Sequence, residues 1–169
     1  MAIIDPSEII IRTIEERDNI EISHVIHTVL EEYGANREGF AGADWATDHM
    51  FEAYSGERSF YLVIEYRKKV YGGGGIAALE GESQDWCELQ KMYFLPELRG
   101  LGLSKRILNR CLDEALHLGY SKMYLETLKN MQIAQKLYFN KGFESINHPM
   151  GKTGHFGCDV WMQRTIEDF

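Results

Sequence analysis

Arg99, Gly100, Gly102 and Ser104, within the run Pro96-Glu97-Leu98-Arg99-Gly100-Leu101-Gly102-Leu103-Ser104, are the residues whose types and spacing most directly suggest chemistry. Before them, Cys87 to Leu95 reads as extended. After them, Ile107, Leu108, Cys111, Leu112, Ala115, Leu116 and Leu118 recur at helical spacing. A strand, a glycine-rich turn and a helix are therefore expected in that order. The first N–H groups of a helix have no internal partner, and the helix dipole places partial positive charge there. Glycine lets a ligand approach the backbone closely. Together these suit a pyrophosphate, with Arg99, Lys105, Arg106 and Arg110 as nearby cations. The plain alternative is a tight connection without a ligand. Two familiar phosphate loops do not fit. The dinucleotide fingerprint needs a third glycine where Lys105 stands. Gly151-Lys152-Thr153 has the ending of a nucleoside triphosphate loop, but Ile146 occupies the required glycine position and no helical pattern follows.

The remaining match, Arg99-x-x-Gly102-x-Ser104, resembles the Arg/Gln-x-x-Gly-x-Gly/Ala motif of the GNAT acyl-CoA N-acyltransferases. Upstream, Phe94-Leu95-Pro96 is similar to the family's hydrophobic-x-Pro strand exit. Downstream, Ala134-Gln135-Lys136-Leu137-Tyr138 and then Gly142-Phe143 resemble its second helix and the following turn. Ser104 departs from the usual final Gly or Ala. Met131 stands where the family's asparagine is usual, with Asn130 one position early. The resemblance implies acetyl-CoA as co-substrate. It would be held by the Arg99, Gly100, Leu101, Gly102, Leu103 and Ser104 segment, by backbone groups of Met92, Tyr93 and Phe94, and by Asn130 and Tyr138. No metal is expected.

Acetyl transfer to an amine needs a neutral nitrogen, and an ordinary lysine-like amine is neutral in only roughly one molecule in a thousand at pH 7. Glu88 lies six residues before Phe94, the offset at which histone-acetylating members of the family carry their general base. Strict alternation puts Glu88, Gln90 and Met92 on one face and Leu89, Lys91 and Tyr93 on the other. Burial on a central strand would raise a carboxyl pKa toward a base's working range. A structural carboxylate paired with Lys91 or an arginine is the competing reading. Tyr138 stands where the family places the tyrosine that donates to the coenzyme A sulfur; a core tyrosine is the alternative. The resemblance puts a variable acceptor loop at Asn36-Arg37-Glu38-Gly39-Phe40 and Asp44-Trp45, so Arg37 and Trp45 are substrate candidates. His155 and Asp159 are further candidates, since Gly154 to Trp161 would border the acceptor pocket. Arg37 would suit a substrate carboxylate, although such residues more often make surface ion pairs. His148, His155, Cys158 and Asp159 lack the spacing of a four-ligand metal site. Cys87 or Cys158 as an acyl carrier competes with the commoner buried, inert cysteine. Gly72-Gly73-Gly74-Gly75 lies inside a strand pair and reads as a packing feature.

These residues need a frame. Strands are expected at Ile9 to Ile14, Ser59 to Tyr66, Val70 to Leu79, Trp86 to Leu95, Lys122 to Glu126, from Gly142, and at Cys158 to Arg164. Helices are expected from an Asp18 cap to about Gly34, over Thr47 to Tyr54, Ser104 to Leu118 and Met131 to Asn140. Strands with interspersed helices indicate an α+β or α/β three-layer fold. The GNAT resemblance sharpens this to a mixed, mostly antiparallel sheet flanked by helices, as one domain over residues 1–169.

The chain has 169 residues, 44% hydrophobic and 26% charged, and a formal net charge of −8. That charge opposes a general nucleic-acid binder and tolerates a basic acceptor. No run approaches a membrane span, and Met1 to Asp18 carries no signal-peptide pattern. Three widely spaced cysteines suit reduced thiols and a cytoplasmic location. The expectation is an N-acetyltransferase working by direct attack in a ternary complex on a small-molecule amine, with no nucleic-acid or membrane partner; a homodimer is compatible with it. A protein lysine or N-terminal acceptor is the enzyme alternative. A non-catalytic coenzyme A sensor is the other.

Overall fold

The computed structural model describes residues 4–167. Its frame is a seven-stranded sheet in the order β1-β2-β3-β4-β5-β7-β6. The strands are β1 (Ile9–Thr13), β2 (Phe60–Tyr66), β3 (Lys69–Ala78), β4 (Trp86–Phe94), β5 (Lys122–Thr127), β6 (Glu144–Ile146) and β7 (Val160–Thr165). All neighbours are antiparallel except β4 and β5, which run parallel. Two apolar layers cover the sheet. On one face lies α1 (Asn19–Glu32), whose Ile22, Val25, Ile26, Val29 and Leu30 make one buried stripe at helical spacing. On the other lie α4 (Leu103–His117), through Ile107, Leu108, Cys111 and Ala115, and α5 (Gln132–Asn140), through Tyr138.

The three long helices share one stop signal. Gly34, Gly119 and Gly142 each take a positive φ just past the helix. The next residue then bonds back over the last turn: Ala35 to Leu30, Tyr120 to Ala115 and Phe143 to Tyr138. Two expected details differ. Asp18 stands at the α1 N-cap position without capping that helix; its carboxylate accepts from the Glu15 N–H and from both Arg12 amino groups. The Thr47 to Tyr54 helix is two single turns, α2 (Trp45–Asp48) and α3 (Met50–Ala53), broken at His49, whose backbone is not helical.

The alternation expected along β4 is also corrected. Gly73 faces Tyr93 and Gly75 faces Gln90, so Gly74 alone opposes Lys91 and Met92. This bulge holds Lys91 at φ 49°, a conformation costing roughly 1–2 kcal/mol for a residue with a side chain. Cys87, Leu89, Met92 and Phe94 therefore join the α4 layer, and Tyr93 joins the α1 layer. Lys91 shares the face of Glu88 and Gln90 instead of opposing it. The glycine run makes the bulge possible. A Cβ on Gly73 or Gly75 would collide with the Tyr61 side chain, and one on Gly74 would lie 2.8 Å from Ile107. Tyr61 thus crosses bare backbone, and its hydroxyl donates to the Lys91 carbonyl at 2.7 Å.

Candidate active site

The turn between β4 and α4 has the open geometry that an anion site needs. Gly100 and Gly102 lie at φ 78° and 72°, and no atom comes within 4 Å of a Cβ built on either. Among the described residues, the N–H groups of Gly100, Leu101 and Gly102 donate to no backbone carbonyl. They lead directly into the unpaired N–H groups of the first turn of α4, with Leu103 buried and Ser104 half-buried. Arg99 spans this turn. Its Nε donates to the Phe94 carbonyl at 3.0 Å, and its amino groups bind both Glu32 oxygens at 2.7 Å. Arg99 holds the Glu32 carboxyl below its usual range. Lys105, Arg106 and Arg110 are exposed on the same helix.

Beside this turn the sheet opens. β4 and β5 pair only at Trp86–Lys122, Cys87–Met123 and Glu88–Tyr124. Beyond Glu88, the β5-facing edge of Gln90 to Phe94 has no strand partner among the described residues. A cleft with an empty volume of about 700 Å³, counting its open mouth, fills the gap. Glu88, Glu126, His155, Lys91, Met131 and Tyr138 are among its lining residues.

Glu88 is only 5% exposed. Burial raises its pKa to about 7; the hydrogen bond from Gln90 works against that rise, and the nearby Glu126 charge adds to it. The Gln90 amide donates to Glu88 Oε2 at 2.6 Å and accepts from the Tyr54 hydroxyl at 2.6 Å, which fixes the carboxylate. A carboxyl poised near 7 matches the working range of a general base.

Tyr138 closes the other side of the cleft. It is the residue to which the turn after α5 bonds back, and the Phe143 ring of that turn packs edge-on against it at 5.8 Å. Gly142-Phe143 thus sets where the phenol sits. Burial raises its pKa above the usual value, so it remains a proton donor at neutral pH.

Asp44 organises the third wall. It accepts from Lys91 Nζ at 2.6 Å and lies 2.9 and 3.0 Å from His155 Nε2. Burial pulls the His155 pKa down, but the hydrogen bond and charge of Asp44 outweigh it, and the net shift is upward. Burial likewise opposes ionisation of Asp44, yet its two partners leave its pKa lowered.

The structure brings together Glu88, Met92, Tyr93, Tyr138 and His155, all of which line the cleft. Phe94 and Arg99 to Ser104 follow on the same strand and turn. Four candidates are not among the lining side chains. Arg37 is exposed, donates to the Gly34 carbonyl and lies over the Phe40 ring. Trp45 is exposed and stacks on His49. Asp159 accepts from the Lys129 N–H at 2.9 Å, pinning the start of the β5–α5 turn. Asn130 reaches the Tyr33 carbonyl at 3.4 Å. Burial and neighbouring carboxylates push the Cys158 thiol up to about 12, and burial does the same to Cys87; both are poor nucleophiles. Sequence reasoning missed Glu126 and the Lys91–Asp44 pair. The only local trace of Glu126 was its place at the end of the expected Lys122 to Glu126 strand; that it faces the same gap as Glu88 is set by the fold.

Comparison with known proteins fits this geometry. The family model of the acetyltransferase (GNAT) family matches residues 26–143. The uncharacterized N-acetyltransferase YjgM of Escherichia coli K12 is 42% identical over 164 residues, covering 96% of this chain and 98% of its own. A GNAT-family acetyltransferase structure from Staphylococcus aureus superposes with a TM-score of 0.78 at 16% identity, covering 94% of this chain and 99% of that one. The structure of yncA from Salmonella typhimurium, solved with its cofactor acetyl-CoA, gives 0.70 at 22% identity, with 95% of each chain covered. The glycine turn, the split sheet and the extent of these matches lead to one conclusion: the chain is an N-acetyltransferase of the GNAT family.

Proposed function

We propose that this enzyme transfers the acetyl group of acetyl-CoA to a small primary amine by direct attack in a ternary complex. The observation that carries the reading is Glu88: a buried carboxyl poised near pH 7, lining the cleft where β4 and β5 part. The cofactor's fit rests on the open Gly100–Gly102 backbone and the unpaired edge of β4. Arg99, the Gly100 to Ser104 N–H groups and the Met92 to Phe94 backbone would hold it, and it supplies an acetyl group activated as a thioester.

The chain's own groups then manage protons. Glu88 takes one proton from the incoming ammonium and frees the nitrogen lone pair. As the C–N bond forms and the C–S bond breaks, Tyr138 donates to the departing sulfur. The nitrogen sheds two protons in all: one leaves through Glu88 to solvent, and the other makes up the proton that ends on the thiol. Unpaired N–H groups at the edge of β4 are suited to polarise the carbonyl oxygen.

The test is thiol release from acetyl-CoA with a panel of primary amines beside a panel of peptides. Turnover of small amines is expected. Binding of coenzyme A without turnover of any acceptor would leave a sensor instead of an enzyme.

A further inference from the structure

Resting on the acetyltransfer reading, we infer that Glu126 is the atom-level reader of the acceptor: its Oε2 receives an alkylammonium group, so the enzyme selects primary alkylamines that carry no carboxylate beside the amine. One carboxylate oxygen of the cleft stands apart from its surroundings. The Glu126 side chain is only 3% exposed. Its Oε1 accepts from the Tyr124 hydroxyl at 3.0 Å and the Thr153 hydroxyl at 2.8 Å. Its Oε2 is buried and, among the described residues, makes no hydrogen bond of ordinary geometry; the Cys158 thiol, a weak donor, is a neighbour of this carboxyl, and the nearest cationic nitrogen is His155 Nδ1, at 3.9 Å. A buried carboxylate oxygen without a donor costs stability, and such an exception calls for an explanation. This one borders a cleft, and an ammonium N–H is the donor that would complete it.

The charges of the cleft point the same way. Its lining cations are Lys91 and His155, and both are already bound to Asp44. Glu88 and Glu126 remain as buried carboxyls without a cationic partner of their own within hydrogen-bonding distance. An acceptor with an α-carboxylate would bring a further carboxylate into this space beside Glu88 and Glu126. Arg37, the residue that would answer such a carboxylate, lies outside the lining and is turned toward the Gly34 carbonyl. An acceptor lacking the carboxylate brings only a cation to these two carboxyls, while Asp44 already pairs Lys91 and His155. A free alkylamine and a lysine side chain share this chemistry.

Matched pairs test the assignment on the wild-type protein with acetyl-CoA: tyramine against tyrosine, and propylamine against 2-aminobutyrate, by thiol release. The amine should exceed its carboxylated partner in kcat/KM by roughly 10²-fold, since like-charge juxtaposition in a desolvated site is strongly unfavourable. Glu126→Gln keeps shape and removes charge. It should raise the KM for amines about tenfold or more and shrink the amine-to-amino-acid ratio toward one. A doubly capped lysine peptide beside 1,5-diaminopentane separates the two sources; turnover of either supports the assignment. Wild-type preference for the carboxylated partner overturns it, as does an unchanged ratio in folded Glu126→Gln; if that variant fails to fold, the wild-type pairs still decide. Release with amino acids alone would overturn this inference and spare the acetyltransfer reading. No release with any amine would overturn both.

Discussion

The turn proposed for the cofactor and the cleft proposed for the acceptor are built on opposite plans. Arg99 to Ser104 is one contiguous, mostly exposed segment whose proposed role depends on what is missing: no Cβ at Gly100 or Gly102 and, among the described residues, no backbone partners for the Gly100, Leu101 and Gly102 N–H groups. The cleft assembles Glu88 and Lys91 from β4, Glu126 from β5, Asp44 from the segment before α2, Tyr138 from α5 and His155 from the segment before β7. Its function depends on buried charge whose balance no single segment sets. A site read by backbone can be rebuilt from a few residues. A site read by charge requires the whole fold, and small changes in it move pKa values and specificity.

This contrast can be broken most severely at the turn. Gly102→Glu should abolish coenzyme A binding, because a carboxylate would stand among the N–H groups meant for phosphate. The new side chain has open space around it, so the fold should persist with a loss of roughly 1–2 kcal/mol from the positive φ. Calorimetric titration showing wild-type affinity in the folded variant would remove the phosphate site from this turn.

Tyr138→Phe should act on the cleft alone. It keeps the Phe143 contact and deletes the hydroxyl, so kcat should fall by roughly 10²-fold while acetyl-CoA binding changes little. Equal turnover across the pH range would return Tyr138 to a purely packing role.

The mildest effect sharpens the claim of buried charge. Glu88 has its pKa raised from 4.5 to about 7 in the folded protein, so between those values the native state binds more protons than the unfolded chain. Its burial therefore becomes increasingly destabilising as pH rises through that window and reaches its full cost above it. Glu88→Gln should stabilise the protein at pH 8, by up to about 3 kcal/mol, and give no such gain near pH 4. A melting-temperature difference that is the same at both pH values would contradict this electrostatic account.

Much of the frame was legible in local pattern. The α1 stripe, the α4 stripe and the glycines ending the three long helices are periodic or punctuating signals that neighbours in sequence determine. The strand–turn–helix at Arg99 was legible for the same reason. The bulge at Lys91 was not, because it depends on Tyr61 crossing two glycines of a different strand. With it went the true face of Lys91 and the Lys91–Asp44–His155 cluster, whose members are 47 and 111 residues apart in the chain. Glu126 was hidden in the same way. Its importance comes from the place where β4 and β5 stop pairing, which is a property of two strands and of neither sequence alone.

The most direct test of the account is the pH dependence of kcat, at saturating acceptor, for the wild type and Glu88→Gln. The wild type should show an acidic limb with an apparent pKa near 7, the value set by Glu88's burial. The variant should lose that limb, fall by roughly 10²–10⁴-fold at pH 7, and recover much of the rate at high pH, where the acceptor is already neutral. An unchanged acidic limb in a folded Glu88→Gln protein would contradict the account and move the base to another group of the cleft.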